Sequence, residues 1–371
     1  MDKKKRSSAQ KAAKKTSENI DKILKAEKRR SIKNETKIAS GKTTVLKQLK
    51  IIHGTGFESE RQSYCRIVRL NVLTAMRLLT NGLEYYGHTL EPKNEPHLEN
   101  FIKLTLIKDS SNSDSIDVQA NIKEQDLDED DSGLDFFNEY AESIKELWAD
   151  DAIKKCYDHA AEIGLQDSAK YFLDNVDRIS KEDYLPRDED ILQARVKTLG
   201  VSEHNFQVEH LTFKIFDVGG HRSQRQFWAP YFEDVDAIIF MAAISAYDQK
   251  LKEDDSVNRI RDSITLFKKT CNNDLFTKTG IILFLNKIDI LKQKLAISQV
   301  KKHFPGYKGD NKYDSVSAYF KKLFLECKKN EKQNIYIHFT HATDTEQMRI
   351  IVGSIDDLIM RINLEKSGLI K

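Results

Sequence analysis

The period of the hydrophobic positions changes twice along the chain. Near the start, Val45, Leu46, Leu49 and Ile52 recur at helical spacing, and Gly54 can stop the helix they predict. Ahead of it, a charged helix is predicted from residue 17 to about residue 30, with Ile20, Ile23 and Leu24 on one face. That stripe is too thin for a core and suits docking on a partner or an anionic surface, or simple solvation. Residues 32–38, Ile-Lys-Asn-Glu-Thr-Lys-Ile, stand where a strand would feed the next loop. A strand buried on both faces reads as a near-continuous apolar run, and this one does not. Residues 59–190 then keep a helical period, with helices predicted over 64–79, 144–157 and 169–179 and no strand-like alternation. From residue 205 the period shifts to that of strands. Residues 205–208 and 211–216 read as a strand pair with a tight turn, and 237–243, 280–285 and 335–339 as short apolar strands separated by helical patterns. Strands alternating with helices predict βαβ units and a mostly parallel sheet, with ligands beyond the C-terminal ends of the strands.

The chain's 371 residues can bury one large core or two modest ones, and the formal net charge of +2 carries no whole-chain polyanion signal. The charge is local. Residues 1–37 hold 14 Lys/Arg against 5 Asp/Glu, which on charge alone would suit RNA or DNA. Residues 109–135 hold ten acidic residues, several Ser and one Lys, a composition that cannot build a core and is expected to be a solvated loop. Four Cys without a CxxC pair imply a reducing compartment and no structural metal. The longest uninterrupted apolar run, 237–244, is far short of the ~18 residues of a spanning helix. The N-terminus is polar and basic, position 2 is Asp, no Cys precedes Cys65 and the tail lacks a prenylation box, so no secretory signal or lipidation site is expected.

The chemistry gathers at strand ends. Gly41-Lys42-Thr43-Thr44 reads as the closing half of a phosphate loop. There, backbone N–H groups cradle phosphates, the Lys reaches the outer ones, and the Thr hydroxyl ligates Mg²⁺. A helix starting at this point offers its positive end to an anion. The opening half is defective, because the position five before Gly41 is Thr36 rather than Gly. Asp217-Val218-Gly219-Gly220-His221-Arg222 follows a strand, where an acid suits a Mg²⁺ site and Gly220 lets an N–H approach a terminal phosphate. Taken alone, this run is more often a turn. Asn286-Lys287-Ile288-Asp289 follows another strand, and a carboxylate there can accept both N–H groups of a guanine edge. In Thr340-His341-Ala342-Thr343-Asp344 a backbone N–H can meet the guanine carbonyl. Arg195-Val196-Lys197-Thr198 can neutralise charge developing on a γ-phosphate and complete the Mg²⁺ shell. Each run is modest evidence alone; their order and placement raise the case.

Together with Lys47-Gln48-Leu49-Lys50-Ile51-Ile52-His53-Gly54 and Asn363-Leu364-Glu365-Lys366, these runs resemble the α subunits of heterotrimeric G proteins, from about residue 17 to the end. The resemblance implies an α/β, Ras-like P-loop GTPase domain with an inserted all-α helical domain and an N-terminal helix. The implied boundaries are a basic tail and helix over 1–30, GTPase domain over 31–58 and 191–371, and helical domain over 59–190 with its acidic loop at 109–135. By the same likeness, Asp167 and Ser168 belong to the helical-domain segment that faces the nucleotide. Leu192, Gln193, Ala194, Arg195, Val196, Lys197 and Thr198 form the first switch, with Arg195 as a built-in arginine finger. The implied GTP-binding set is Gly41 to Thr44, Asp167, Ser168, Leu192 to Thr198, Asp217 to His221, Asn286 to Asp289 and Ala342. Thr43 and Thr198 would hold Mg²⁺, and Arg195 and His221 would be catalytic. GTP/GDP and Mg²⁺ are the implied cofactors. A βγ dimer is expected to dock on Ile20, Ile23 and Leu24 and on Arg222, Arg225 and Trp228. A seven-helix receptor is expected at the C-terminal tail, with a downstream effector and no nucleic acid. The expected location is the cytoplasm, peripheral at the inner face of the plasma membrane through partners. This mechanism is carried over from the family, not read from the residues.

The departures are as specific as the likeness. The family's Asn-Glu-x-Lys leads into an apolar strand and Gly-Ala-Gly-Glu-Ser-Gly-Lys. Here Asn34-Glu35-Thr36-Lys37-Ile38 leads through Ala39 alone into Ser40-Gly41-Lys42, about six residues short, or roughly 20 Å of extended strand. Both early loop glycines and the acid that would pair with Arg195 go with them. His221 stands where the family has its water-orienting Gln, and His341 where it has Cys. The expected protein is a guanine-nucleotide transducer with slow or impaired hydrolysis; the alternative is a pseudo-GTPase that serves as a binding module for βγ or receptor. A Gln carboxamide serves water and phosphate from one planar end, whereas imidazole carries its donor and acceptor on ring nitrogens that point apart. Single-turnover GTP hydrolysis in a loop-repaired protein is therefore expected to rise about 10²- to 10³-fold on His221→Gln. An unchanged rate would make His221 a bystander.

Overall fold

The computed structural model describes residues 40–109, 137–196, 201–208, 211–219, 228, 231, 235–251, 254, 256–277, 279–331 and 333–366. Ile20, Ile23, Leu24, residues 32–38, the acidic stretch beyond residue 109, Lys197, Thr198, Gly220, His221, Arg222, Arg225 and the tail 367–371 lie outside the described residues. The chain divides into two units, Thr44–Lys197 and Met1–Thr43 with Thr198–Lys371.

The first unit takes most of α1 (Lys42–His53) and, among the described residues, consists of helices and turns. Its axis is α2 (Ser63–Tyr86), whose Ile67, Val68, Val72, Met76 and Leu79 are at most 1 % exposed. The helix runs seven residues, about two turns, beyond its predicted end. It stops at Gly87, whose φ of 67° is open to glycine at no steric cost, and the Gly87 and His88 N–H groups donate to Glu84 and Leu83 carbonyls. Around it lie α3 (Glu95–Asp109), α4 (Phe137–Ala149), α5 (Asp151–Asp158), α6 (Ala169–Asp174), α7 (Val176–Ile179) and α8 (Asp188–Gln193).

Two predicted helices are each two helices. Over 144–157 the break is Asp150, which caps α5 by accepting from Ala152 N–H and also accepts from Glu91 N–H and Asn94 Nδ2. A short acid that satisfies both a helix start and a neighbouring turn favours the break over a continuous helix. Over 169–179 the break is Asn175, whose Nδ2 donates to the Tyr171 carbonyl at the end of α6.

The second unit holds the strands. β1 (Val201–Val208) and β2 (Leu211–Val218) pair antiparallel with Val208 opposite Leu211. Both strands are longer than predicted, by four residues at the start of β1 and two at the end of β2. β3 (Ala237–Ala243), β4 (Gly280–Asn286) and β5 (Ile335–Thr340) form a parallel sheet with β4 in the middle. Its register aligns Ala243, Asn286 and Thr340 at one edge. The connections carry α9 (Arg259–Cys271), α10 (Ile288–Lys294), α11 (Val300–His303) and α12 (Tyr313–Leu325), and α13 (Thr345–Lys366) follows β5. Ile281, Leu283 and Leu285 of β4 are fully buried in one core with Phe267, Phe320 and Phe324. Among the described residues the two sheets share no ladder.

One buried carboxylate organises the end of the helical unit. Asp190, fully buried, accepts from Arg178 Nη1 and Nη2 at 2.7 and 2.6 Å, from the Tyr171 and Tyr184 hydroxyls, and from Arg187 N–H. Burial pushes its carboxyl up, but Arg178, Tyr171 and the Arg187 N–H outweigh it and hold the group below the ordinary carboxylate value. Its charge therefore stabilises the fold above the unfolded value near 3.8, and that stability is lost as pH falls through the lower folded value. Asp190→Asn, which leaves Arg178 without its partner, is expected to cost about 3–5 kcal/mol in urea unfolding at neutral pH. The loss should shrink as pH falls through the lowered folded value of Asp190, where the parent carboxyl is protonated too.

Candidate nucleotide site

In the strand-bearing unit, four of the sequence runs meet at strand ends. Asn286, the last residue of β4, is 1 % exposed. Its Nδ2 donates to the Ser40 carbonyl at 2.9 Å, and its Oδ1 accepts from Thr340 Oγ1 at 2.9 Å and Ala342 N–H at 3.1 Å. One carboxamide thus joins the residues before α1, the end of β5 and the loop after it. Ser40 is itself buried, and Gly41 follows with φ of 97°. A Cβ at Gly41 would sit 2.3 Å from Asn286 Nδ2, so both backbone and packing require glycine.

α1 begins at Lys42. Thr43 Oγ1 donates to Asp217 Oδ2 at 2.9 Å, bringing one assigned magnesium ligand into contact with the acid that suits the same site, while the other assigned ligand, Thr198, lies outside the described residues. Asp217 is 5 % exposed near the end of β2. Mg²⁺ is ordinarily held by one or two protein oxygens, with water and substrate phosphates completing the shell, so this donor pair fits it. Gly219 accepts from Trp228 Nε1 at 3.1 Å, and Trp228 is half-buried. Gly219 is thereby a partner of the indole assigned to partner docking.

Lys287 takes φ 66°, ψ 44°, the only left-handed non-glycine residue among those described. This turn starts α10 and sets Asp289 in its first turn. Asp289 Oδ1 is closed off from solvent and has no hydrogen-bond partner. An acceptor left open in this way fits an N–H donor from a ligand. Its other oxygen, Oδ2, lies 3.2 Å from His341 Nε2. The Asp289 carboxylate raises the His341 imidazole above its ordinary value, against the opposing effects of burial and Lys292. The Ala342 N–H assigned to a guanine carbonyl is engaged by Asn286, and the His341 N–H by Gln347 Oε1.

The helical unit carries the remaining runs. Thr44 lies in the first turn of α1, and Asp167 and Ser168 precede α6. Leu192 and Gln193 close α8, and Ala194, half-buried Arg195 and Val196 follow. Asn71 of α2 clamps the Arg195 backbone, accepting its N–H at 3.0 Å and donating to its carbonyl at 3.3 Å. Lys47 of α1, 6 % exposed, donates from Nζ to the Ile191 and Ala194 carbonyls at 2.8 Å each and closes the end of α8. These positioning groups escaped the sequence reading. Asn71 had one visible signal, a polar residue within the apolar stripe of α2; Lys47 had none.

A parallel sheet with motif-bearing strand ends, interrupted by a helical unit, is the architecture of a Ras-like GTPase with an inserted helical domain. The family model described as G-protein alpha subunit matches residues 14–359. The chain is 39 % identical over 359 residues to the guanine nucleotide-binding protein alpha-1 subunit of Mycosarcoma maydis, covering 95 % of each chain. It is 39 % identical over 373 residues to the guanine nucleotide-binding protein subunit alpha of Emericella nidulans, and 38 % identical over 372 residues to the alpha-1 subunit of Neurospora crassa. Each of these alignments covers 98 % of this chain and 99 % of the relative. The chain belongs to the G-protein α-subunit family.

Asn286→Ala removes a buried donor and acceptor and leaves Ser40 O, Thr340 Oγ1 and Ala342 N–H without that partner. It is expected to cost about 2–4 kcal/mol, at roughly 1 kcal/mol per bond plus the desolvation of the groups left behind. Urea unfolding followed by circular dichroism measures it. Gly41→Ala, which displaces the same carboxamide, should destabilise in the same direction.

Proposed function

We propose that this chain is a guanine-nucleotide-binding signal transducer that binds GTP and GDP more weakly than its architecture would otherwise permit. The observation that carries the reading is Asp289 Oδ1, closed off from solvent and unpartnered in the first turn of α10, just after the frame built by Asn286. A guanine edge presents two adjacent N–H donors, which a carboxylate accepts together; the adenine edge does not. The bound Mg²⁺ would neutralise phosphate charge, with Thr43 and Thr198 as its ligands and Asp217 orienting Thr43. Lys42 and the first N–H groups of α1 would hold phosphates, and Arg195 would counter charge developing at the γ-phosphate. By the family resemblance, Asp167, Ser168 and Leu192 to Val196 are further proposed nucleotide contacts. A βγ dimer, a seven-helix receptor at the C-terminal tail and an effector are the proposed partners, with Trp228 among the βγ contacts.

The shortened phosphate loop favours a second reading, a binding module for βγ or receptor that has lost useful nucleotide affinity. The two diverge in a titration of a fluorescent GTP analogue against the parent and against a version with an apolar strand and glycine-rich loop inserted before Ser40. The parent should bind with guanine over adenine selectivity. It should bind about ten- to hundredfold more weakly than the repaired chain for each phosphate bond lost, a charge-assisted bond being worth ~1.5–3 kcal/mol. Equal, tight binding by both would refute the weakened site. Binding by the repaired chain alone would establish the binding-module reading.

A further inference from the structure

The family places Cys where this chain has His341, and the side chain that replaces it reaches the one carboxylate assigned to read guanine. His341 Nε2 stands between two partners, Asp289 Oδ2 at 3.2 Å and Thr343 Oγ1 at 2.9 Å. Only one state of that nitrogen gives Asp289 up: an Nε2–H can donate to the carboxylate or to the Thr343 oxygen, whereas a bare Nε2 can only accept, from the Thr343 hydroxyl. A protonated imidazole carries a hydrogen on Nε2 and donates to the Asp289 carboxylate. A neutral imidazole protonated on Nδ1 instead presents a lone pair on Nε2, accepts from the Thr343 hydroxyl and gives Asp289 Oδ2 up. A guanine edge needs both oxygens of that carboxylate, and Oδ1 has no hydrogen-bond partner to give up.

We propose that His341 determines guanine-nucleotide affinity in this chain by competing for Asp289 when it is protonated and releasing it when neutral with its hydrogen on Nδ1. The proposal rests on the guanine-nucleotide reading above. The groups facing the imidazole come from two elements. α10 supplies Asp289 and Lys292; the loop after β5 supplies Thr343 and Asp344. Asp289 and Asp344 favour the charged imidazole, while burial and Lys292 oppose it, and the carboxylates prevail. Side-chain exposures of 33 % for His341 and 29 % for Asp289 leave the pair open to a change of bulk pH.

The sign follows from linkage. A nucleotide that takes Asp289 removes the contact that favours His341 protonation, so binding releases a proton. Affinity then falls as pH falls through the raised His341 value and is greatest above it. Each unit by which nucleotide lowers that value corresponds to a tenfold change in affinity.

The test uses the full chain, a fluorescent GDP analogue titrated from pH 5.5 to 8, and the His341→Gln variant, with His341→Cys as a second replacement. Imidazole titration by NMR in the nucleotide-free parent and in Asp289→Asn provides a readout that needs no nucleotide. The expected result is about a tenfold loss of affinity in the parent between pH 8 and 5.5. Both His341 variants should show a nearly flat profile, and Asp289→Asn should lower the His341 titration. Identical pH profiles in parent and variants, with binding intact, would overturn the competition alone. An unmoved His341 titration in Asp289→Asn would do the same. Absence of guanine binding at every pH, with the His341 titration still sensitive to Asp289, would overturn the nucleotide reading itself.

Discussion

The strand-bearing unit depends on the Asn286 carboxamide. A buried amide is costly unless every donor and acceptor is met, and here three chain segments meet it. Ser40 is 246 residues away in sequence, Thr340 54 and Ala342 56. Because the end of β4 lies level with the end of β5, that one position reaches Thr340 and the loop after it as well as the residues before α1. Gly41 is part of the same arrangement, since any larger residue would occupy the volume of the Asn286 amide. The left-handed Lys287 that follows is the strain accepted where the chain turns sharply from strand into α10 and brings Asp289 to the same edge.

The helical unit uses the same device with different residues. Its apolar core fixes which faces of the helices meet, but apolar contact alone tolerates sliding. Polar groups with fixed geometry set the register. Asn71 holds the Arg195 backbone at both its N–H and its carbonyl, and Lys47 ties down the last carbonyls around α8. Asp190, with its arginine and two tyrosines, holds the other end of the same helix. The segment assigned to the first switch is thus anchored up to Arg195 by side chains from α1 and α2.

The departures from the family's sequence concentrate in the run ahead of Gly41, and the frame built by Asn286 is complete. α1 still opens at Lys42 with Thr43 against Asp217, although the glycine-rich half of the loop is missing from the sequence ahead of it. The edge around Asn286 carries the amide, the Asp289 carboxylate and the sharp turn at Lys287, with His341 Nε2 3.2 Å from that carboxylate.

Much of this was legible in the sequence. The parallel strands are short apolar runs, and strand ends are where α/β sheets place chemistry, so Asp217, Asn286 and Asp289 could be assigned from position and residue type. The helical unit was legible from its period. Local hydrogen bonding decided where helices broke. Asp150 and Asn175 lie within runs whose periodicity continues past them, and only the presence of Glu91, Asn94 and Tyr171 beside them makes a break the better state. The sequence by itself determined the class of fold, the order of the motifs and the loss of loop glycines, because these depend on residue type and spacing along one chain. Tertiary structure alone decided that Asn286 would fasten Ser40 and Ala342, that Asn71 would hold Arg195, and that His341 would reach Asp289. Each of those is a contact between residues far apart in sequence, and no local propensity or period encodes which distant polar group a buried side chain will meet.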